Sequence, residues 1–110
     1  MSEHHEQCAV ADWLDWNHIR FYAIPNGGDR NVVVAAKLKA EGVKRGVPDL
    51  CICVKTKEYA GLYVEMKYGK NKPTAEQRDW IEHLNGAGYM AVVCYSADEA
   101  IKVIKGYLGL

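Results

Sequence analysis

The sequence predicts an α/β fold, a central four-stranded mixed sheet flanked by helices, and three observations carry that prediction. Helical and strand-like apolar patterns follow one another in the order helix, strand, helix, strand, strand, helix, strand, helix. Two neighbouring apolar runs, Gly46 to Val54 and Leu62 to Lys67, are parted only by the polar segment Lys55 to Gly61 and read as an antiparallel pair. The last strand is reached through a helix, and a helical crossover makes it parallel to its neighbour.

From Glu3 to about His18 the pattern is helical, with Val10, Trp13, Leu14 and Asn17 on one face at three- and four-residue steps. Glu6 stands four residues before Val10 and extends that inward stripe. On residue pattern alone it is a partner for the helix dipole in the first turn. Ile19 to Ile24 reads as a short strand, and Pro25-Asn26-Gly27-Gly28-Asp29 as a loop. The glycine pair either lets backbone amides approach a phosphate or only punctuates the loop. Asn31 to about Glu41 is a second helix ended by Gly42, carrying Lys37 and Lys39.

After the strand pair, Tyr68-Gly69-Lys70-Asn71-Lys72 is a basic turn, and Pro73-Thr74 opens a third helix. Thr74-Ala75-Glu76-Gln77 fits a capping box, and the helix turns Gln77, Trp80, Ile81 and Leu84 inward before Gly86-Ala87-Gly88 closes it. Gln77 therefore has two readings, a reciprocal cap on Thr74 or an inward amide that positions Lys67, water or a phosphate. Tyr89 to Tyr95 is a buried strand, and Ser96-Ala97-Asp98-Glu99 caps a last helix through Ile101, Ile104, Tyr107 and Leu108.

The 110 residues suit one domain with a single core, spanning 1–110. Nothing apolar approaches the ~20 residues of a membrane helix, and the first residues are polar, so a cytoplasmic protein is expected. The formal net charge is zero, yet Lys37, Lys39, Lys44, Arg45, Lys55, Lys57, Lys67, Lys70 and Lys72 crowd the middle of the chain against Glu41, Asp49, Glu58 and Glu65. That middle either offers a positive field to a phosphate backbone, or is an ordinary solvated surface. The cysteines read as reduced and structural, since no Cys-x-x-Cys pair anchors a zinc site with His4, His5 and Cys8.

The anomaly is charge inside the strand pair. Alternation places Asp49, Cys51 and Cys53 on one side of the first strand, and Tyr63, Glu65 and Lys67 on one side of the second. A hairpin centred near Glu58 sets Asp49 opposite Lys67 and Cys51 opposite Glu65, making Asp49 and Glu65 diagonal neighbours roughly 7 Å apart. Two acids on a half-buried sheet are costly unless a hard cation with oxygen ligands joins them, and Lys67 balances the remaining charge. The plainer alternative for Lys67 is an ion pair with Asp49 or Glu65.

Pro48-Asp49 followed by Glu65-Met66-Lys67 resembles the PD-(D/E)XK nuclease signature, and Arg45-Gly46-Val47-Pro48-Asp49-Leu50 resembles its VRR-NUC (virus-type replication-repair nuclease) branch. Glu6 and the pair Gln77 and Trp80 are similar to the outer motifs of that branch. The resemblance implies a restriction-endonuclease-like core and a divalent-metal-dependent DNA endonuclease using Mg²⁺ or Mn²⁺. It implies a site in which Glu6, Asp49, Glu65 and the Met66 carbonyl hold metal while Lys67 and Gln77 complete the catalytic set. Lys37, Lys39, Lys44, Arg45, Lys70 and Lys72 would contact nucleic acid. Stand-alone members of this branch resemble Holliday-junction resolvases, which implies a homodimer acting on branched DNA. Flap or single-strand cleavage, a non-catalytic accessory module, and a metal-free domain held by an Asp49–Lys67 salt bridge are the competing readings.

Overall fold

A computed structural model describes residues 2–25 and 31–110. Four helices and four strands follow the expected order: α1 Glu3–Trp16, β1 Phe21–Ala23, α2 Val32–Ala40, β2 Leu50–Ile52, β3 Leu62–Met66, α3 Ala75–Gly86, β4 Met90–Cys94 and α4 Ala97–Leu108. The Gly27-Gly28 loop lies outside the described residues. None of the helices is long and apolar enough to cross a membrane, among the described residues.

The sheet has the order β1-β2-β3-β4. The β1/β2 and β2/β3 pairs are antiparallel and β3/β4 is parallel, because α3 carries the chain back before β4 begins. One sheet face is apolar. Leu50, Ile52, Leu62, Val64, Met66 and Cys94 pack there against Val10 and Leu14 of α1 and Ala97, Ala100 and Ile104 of α4. Each large side chain so buried contributes about 1.5–3 kcal/mol, and the alternation of the strands leaves Cys51, Tyr63, Glu65 and Ala91 for the opposite face. There α3 lies beside β4, and the Asn85 side chain exchanges hydrogen bonds with both the amide (2.9 Å) and the carbonyl (3.1 Å) of Ala91.

Helix starts follow side-chain chemistry. Ser2, Asn31, Thr74 and Ser96 each occupy an N-cap and accept an amide of the first turn. Asn17, expected on the inward face of α1, is exposed, and its amide donates to the Trp13 carbonyl at the helix end (2.8 Å).

The hairpin register differs from expectation. Leu50 stands against Val64 and Ile52 against Leu62, so the pair is centred on Lys57. The Thr56 hydroxyl accepts the amides of Glu58 (3.2 Å) and Tyr59 (3.0 Å), folding the loop on itself earlier than a symmetric turn would. Extending this ladder by one pair brings Asp49 against Glu65, in place of Lys67. The partner moves by two residues, so every side chain keeps its face.

Candidate metal centre

Asp49 follows a tightly constrained approach. Gly46 has φ +89°, and a β-carbon there would lie 2.7 Å from the Glu76 carbonyl carbon of α3. Only glycine permits that contact and that backbone. The fully buried Pro48 then delivers Asp49 to the start of β2. Its Oδ2 accepts the Met66 amide at 2.7 Å, substituting for the next ladder bond between the strands.

Glu65 is the centre of the site and almost wholly buried, at 1% exposure. Its Oε2 accepts from Gln77 Nε2 at 3.2 Å and faces Lys67 Nζ at 3.6 Å. Its Oε1 is buried with no hydrogen-bond partner among the described residues. The Lys67 side chain is buried too, so the pair sits at the inner end of the site. Gln77 makes the expected reciprocal cap and also turns its amide inward, but onto Glu65 where Lys67, water or a phosphate was expected. Its Oε1 accepts the Thr74 amide at 2.8 Å in a complete capping box, while the other end of the same amide holds Glu65.

The third carboxylate belongs to Glu3. Oxygens of Glu3, Asp49 and Glu65 all lie within 4.8 Å of one another. Glu6, expected in this role, does not join them. Its Oε1 accepts the Ala97 amide at 3.0 Å, tying α1 to the start of α4. An unsatisfied helix amide beside the positive end of a helix dipole is a strong competitor for a carboxylate. Glu3 lies one heptad before Val10 on the same helix face, and that spacing is the signal by which the sequence marks it.

Burial raises the pKa of all three acids. Desolvation, followed by the charge of Asp49, pushes Glu65 from 4.5 up to about 8, with Lys67 opposing. Asp49 rises through desolvation, moderated by the Met66 amide, and Glu3 rises through desolvation, moderated by Lys67. Ionising all three carboxylates against one ammonium would leave a net charge of −2 in a half-buried space. The orphaned Glu65 oxygen, the all-oxygen donor set and that charge fit a hard divalent cation such as Mg²⁺ or Mn²⁺. Of Met66 only the main chain faces this space, since its side chain is in the core. An extended residue points its N–H and C=O to the same edge, so the carbonyl lies on the Asp49 side.

The residues expected to contact nucleic acid are all at the surface. Lys37 and Lys39 lie on α2, Lys44 and Arg45 in the loop before Gly46, and Lys70 and Lys72 beyond β3, all exposed. Arg45 makes an ion pair with Glu76 at 3.7 Å. All four cysteines are free thiols. Cys51 and Cys94 are buried, while Cys53, expected in an apolar run, is exposed.

A family model described as the VRR-NUC domain matches residues 1–98. A solved structure titled VRR-NUC domain protein superposes with a TM-score of 0.82 and 32% sequence identity, covering 99% of this chain and 89% of that one. The search of curated proteins returned no match.

Proposed function

The chain belongs to the VRR-NUC domain family, a nuclease-type domain, and on that premise we propose that it is a divalent-metal-dependent DNA endonuclease acting on branched DNA as a homodimer. The observation that carries this reading is the convergence of Glu3, Asp49 and Glu65 beside the buried Lys67, with one Glu65 oxygen left unpartnered. Glu3, Asp49 and Glu65 would hold Mg²⁺ or Mn²⁺, with the Met66 carbonyl facing the same space. A hard divalent cation there supplies Lewis-acid polarisation of the phosphoryl oxygen and a water acidic enough to attack near neutral pH.

The chain's own residues do the rest. Lys67 orients the attacking water and stabilises negative charge on the phosphoryl group as the bond forms. Gln77 is a positioning residue: anchored to the α3 cap, it fixes the Glu65 carboxylate. Lys37, Lys39, Lys44, Arg45, Lys70 and Lys72 bind the phosphate backbone. A domain of this size offers little surface for reading a long base sequence, so selection by DNA shape is the natural mode. Two copies would present two sites to opposed strands.

The accessory-module reading leaves the cost of gathering Glu3 and Asp49 around the buried Glu65 unexplained. Purified protein incubated with labelled four-way junction, flap, single-stranded and linear duplex DNA tests the proposal, with Mg²⁺, Mn²⁺ or EDTA and beside Lys67→Ala. Paired nicks in the junction that require metal and Lys67 are the expected result. Binding without cleavage under every metal overturns it, whereas cleavage confined to another DNA keeps the chemistry and overturns the choice of substrate.

A further inference from the structure

The sheet face that carries the acids continues past them toward the β1 edge, and the register orders what stands on it. The Ile24 amide bonds the Asp49 carbonyl (2.8 Å), Tyr22 pairs with Cys51 and Cys51 with Tyr63, and the Cys53 amide bonds the Arg20 carbonyl (2.9 Å). Three successive rows therefore share one face: Asp49 with Glu65, then Tyr22 with Cys51 and Tyr63, then Arg20 with Cys53. Rows on one face of a strand recur every two residues, or about 7 Å. That is the length scale of one nucleotide in a stretched single strand.

The tyrosine row is tied together at Cys51. Cys51 is small, and the side chains of Tyr22 and Tyr63 both interact with it from the two sides. Tyr63 is braced by Tyr89, edge to face, with ring centroids 5.4 Å apart. Tyr22 is 51% exposed on the edge strand. Arg20, one row further, is exposed and offers a guanidinium where the next phosphate would fall.

Building on the nuclease reading, we propose that Tyr22 and Tyr63 form a stacking subsite for an unpaired base next to the scissile phosphate, with Arg20 holding the following phosphate. The occupant is a single DNA strand. Stacked aromatics on an open sheet face take any unpaired base by its π-face, whereas a paired base keeps that face covered within its own stack. The subsite therefore favours DNA in which the strand beside the scissile phosphate is unpaired, or opens at the branch.

The test is binding in EDTA, which requires no cleavage. A single-stranded oligonucleotide carrying 2-aminopurine and the matching duplex are titrated with wild type, Tyr22→Leu, Tyr22→Phe and Trp16→Leu, after circular dichroism has checked each fold. Tyr22→Leu is expected to weaken single-strand binding about tenfold or more and to lose the fluorescence quench. The ratio of single-strand to duplex affinity should fall with it. Tyr22→Phe keeps the ring and the quench, and Trp16→Leu, an exposed aromatic on α1, which packs against the opposite face of the sheet, leaves the ratio unchanged. Wild-type single-strand affinity in Tyr22→Leu, or an equal loss on duplex, overturns the subsite while leaving metal-dependent cleavage standing. Absence of DNA binding by wild type overturns both proposals.

Discussion

Glu65→Gln should make the metal-free protein more stable, and increasingly so as the pH rises. In the folded chain Glu65 gives up its proton near 8, against 4.5 ordinarily. Its folded pKa is raised, so the stability linked to its proton is fully present below about pH 4.5 and is lost as the pH climbs through about 8. At about 1.4 kcal/mol per pH unit the whole loss is on the order of 5 kcal/mol, a large share of the 5–15 kcal/mol typical of a domain. Glutamine mimics the protonated acid and has nothing to lose. At pH 5 both proteins set Lys67 beside an uncharged group, and their urea midpoints in EDTA should nearly coincide. By pH 9 the variant should lead by a few kcal/mol. Mn²⁺ at about a hundred times its Kd should then return about 2.7 kcal/mol to wild type and almost nothing to the variant. A variant no more stable than wild type at pH 9, or one that Mn²⁺ stabilises equally, would refute the reasoning.

Glu3→Gln should weaken Mn²⁺ binding at least tenfold by calorimetry, whereas Glu6→Gln should retain it and cost about 1 kcal/mol in thermal melts through the α4 terminus. Thr74→Ala removes only a cap and should cost about 1 kcal/mol with cleavage rate preserved. Gln77→Ala loses the cap and the Glu65 donor, so about a tenfold loss of rate should accompany a similar loss of stability. Gly46→Ala pushes a β-carbon into the α3 backbone at an unfavourable φ and should cost about 1–3 kcal/mol, read as a lower melting temperature with the site residues unaltered.

Much of the fold is written in local pattern. The period-two alternation that put Asp49 and Glu65 on one face survives a change of register, because the shift moves partners by an even number of residues. The register itself depends on the Thr56 hydroxyl folding the Lys55 to Gly61 loop, a local bond that apolar periodicity does not report. The same distinction separates Glu3 from Glu6. Both lie on the inward stripe of α1, and the choice between them is made by an Ala97 amide 91 residues along the chain. The Gln77 cap was legible in the Thr74 to Gln77 spacing, whereas its inward partner, Glu65 in place of Lys67, depends on the hairpin register. The tyrosine row needed the β1 pairing, which a strand of three residues does not announce.

The most direct test of the account is anomalous diffraction from a crystal soaked in Mn²⁺ near pH 8. The prediction is a peak bounded by Glu3, Asp49 and Glu65, with oxygens at about 2.0–2.3 Å and Glu6 still on the Ala97 amide. A saturating soak with no peak there, or with Mn²⁺ held by Glu6 in place of Glu3, would contradict it.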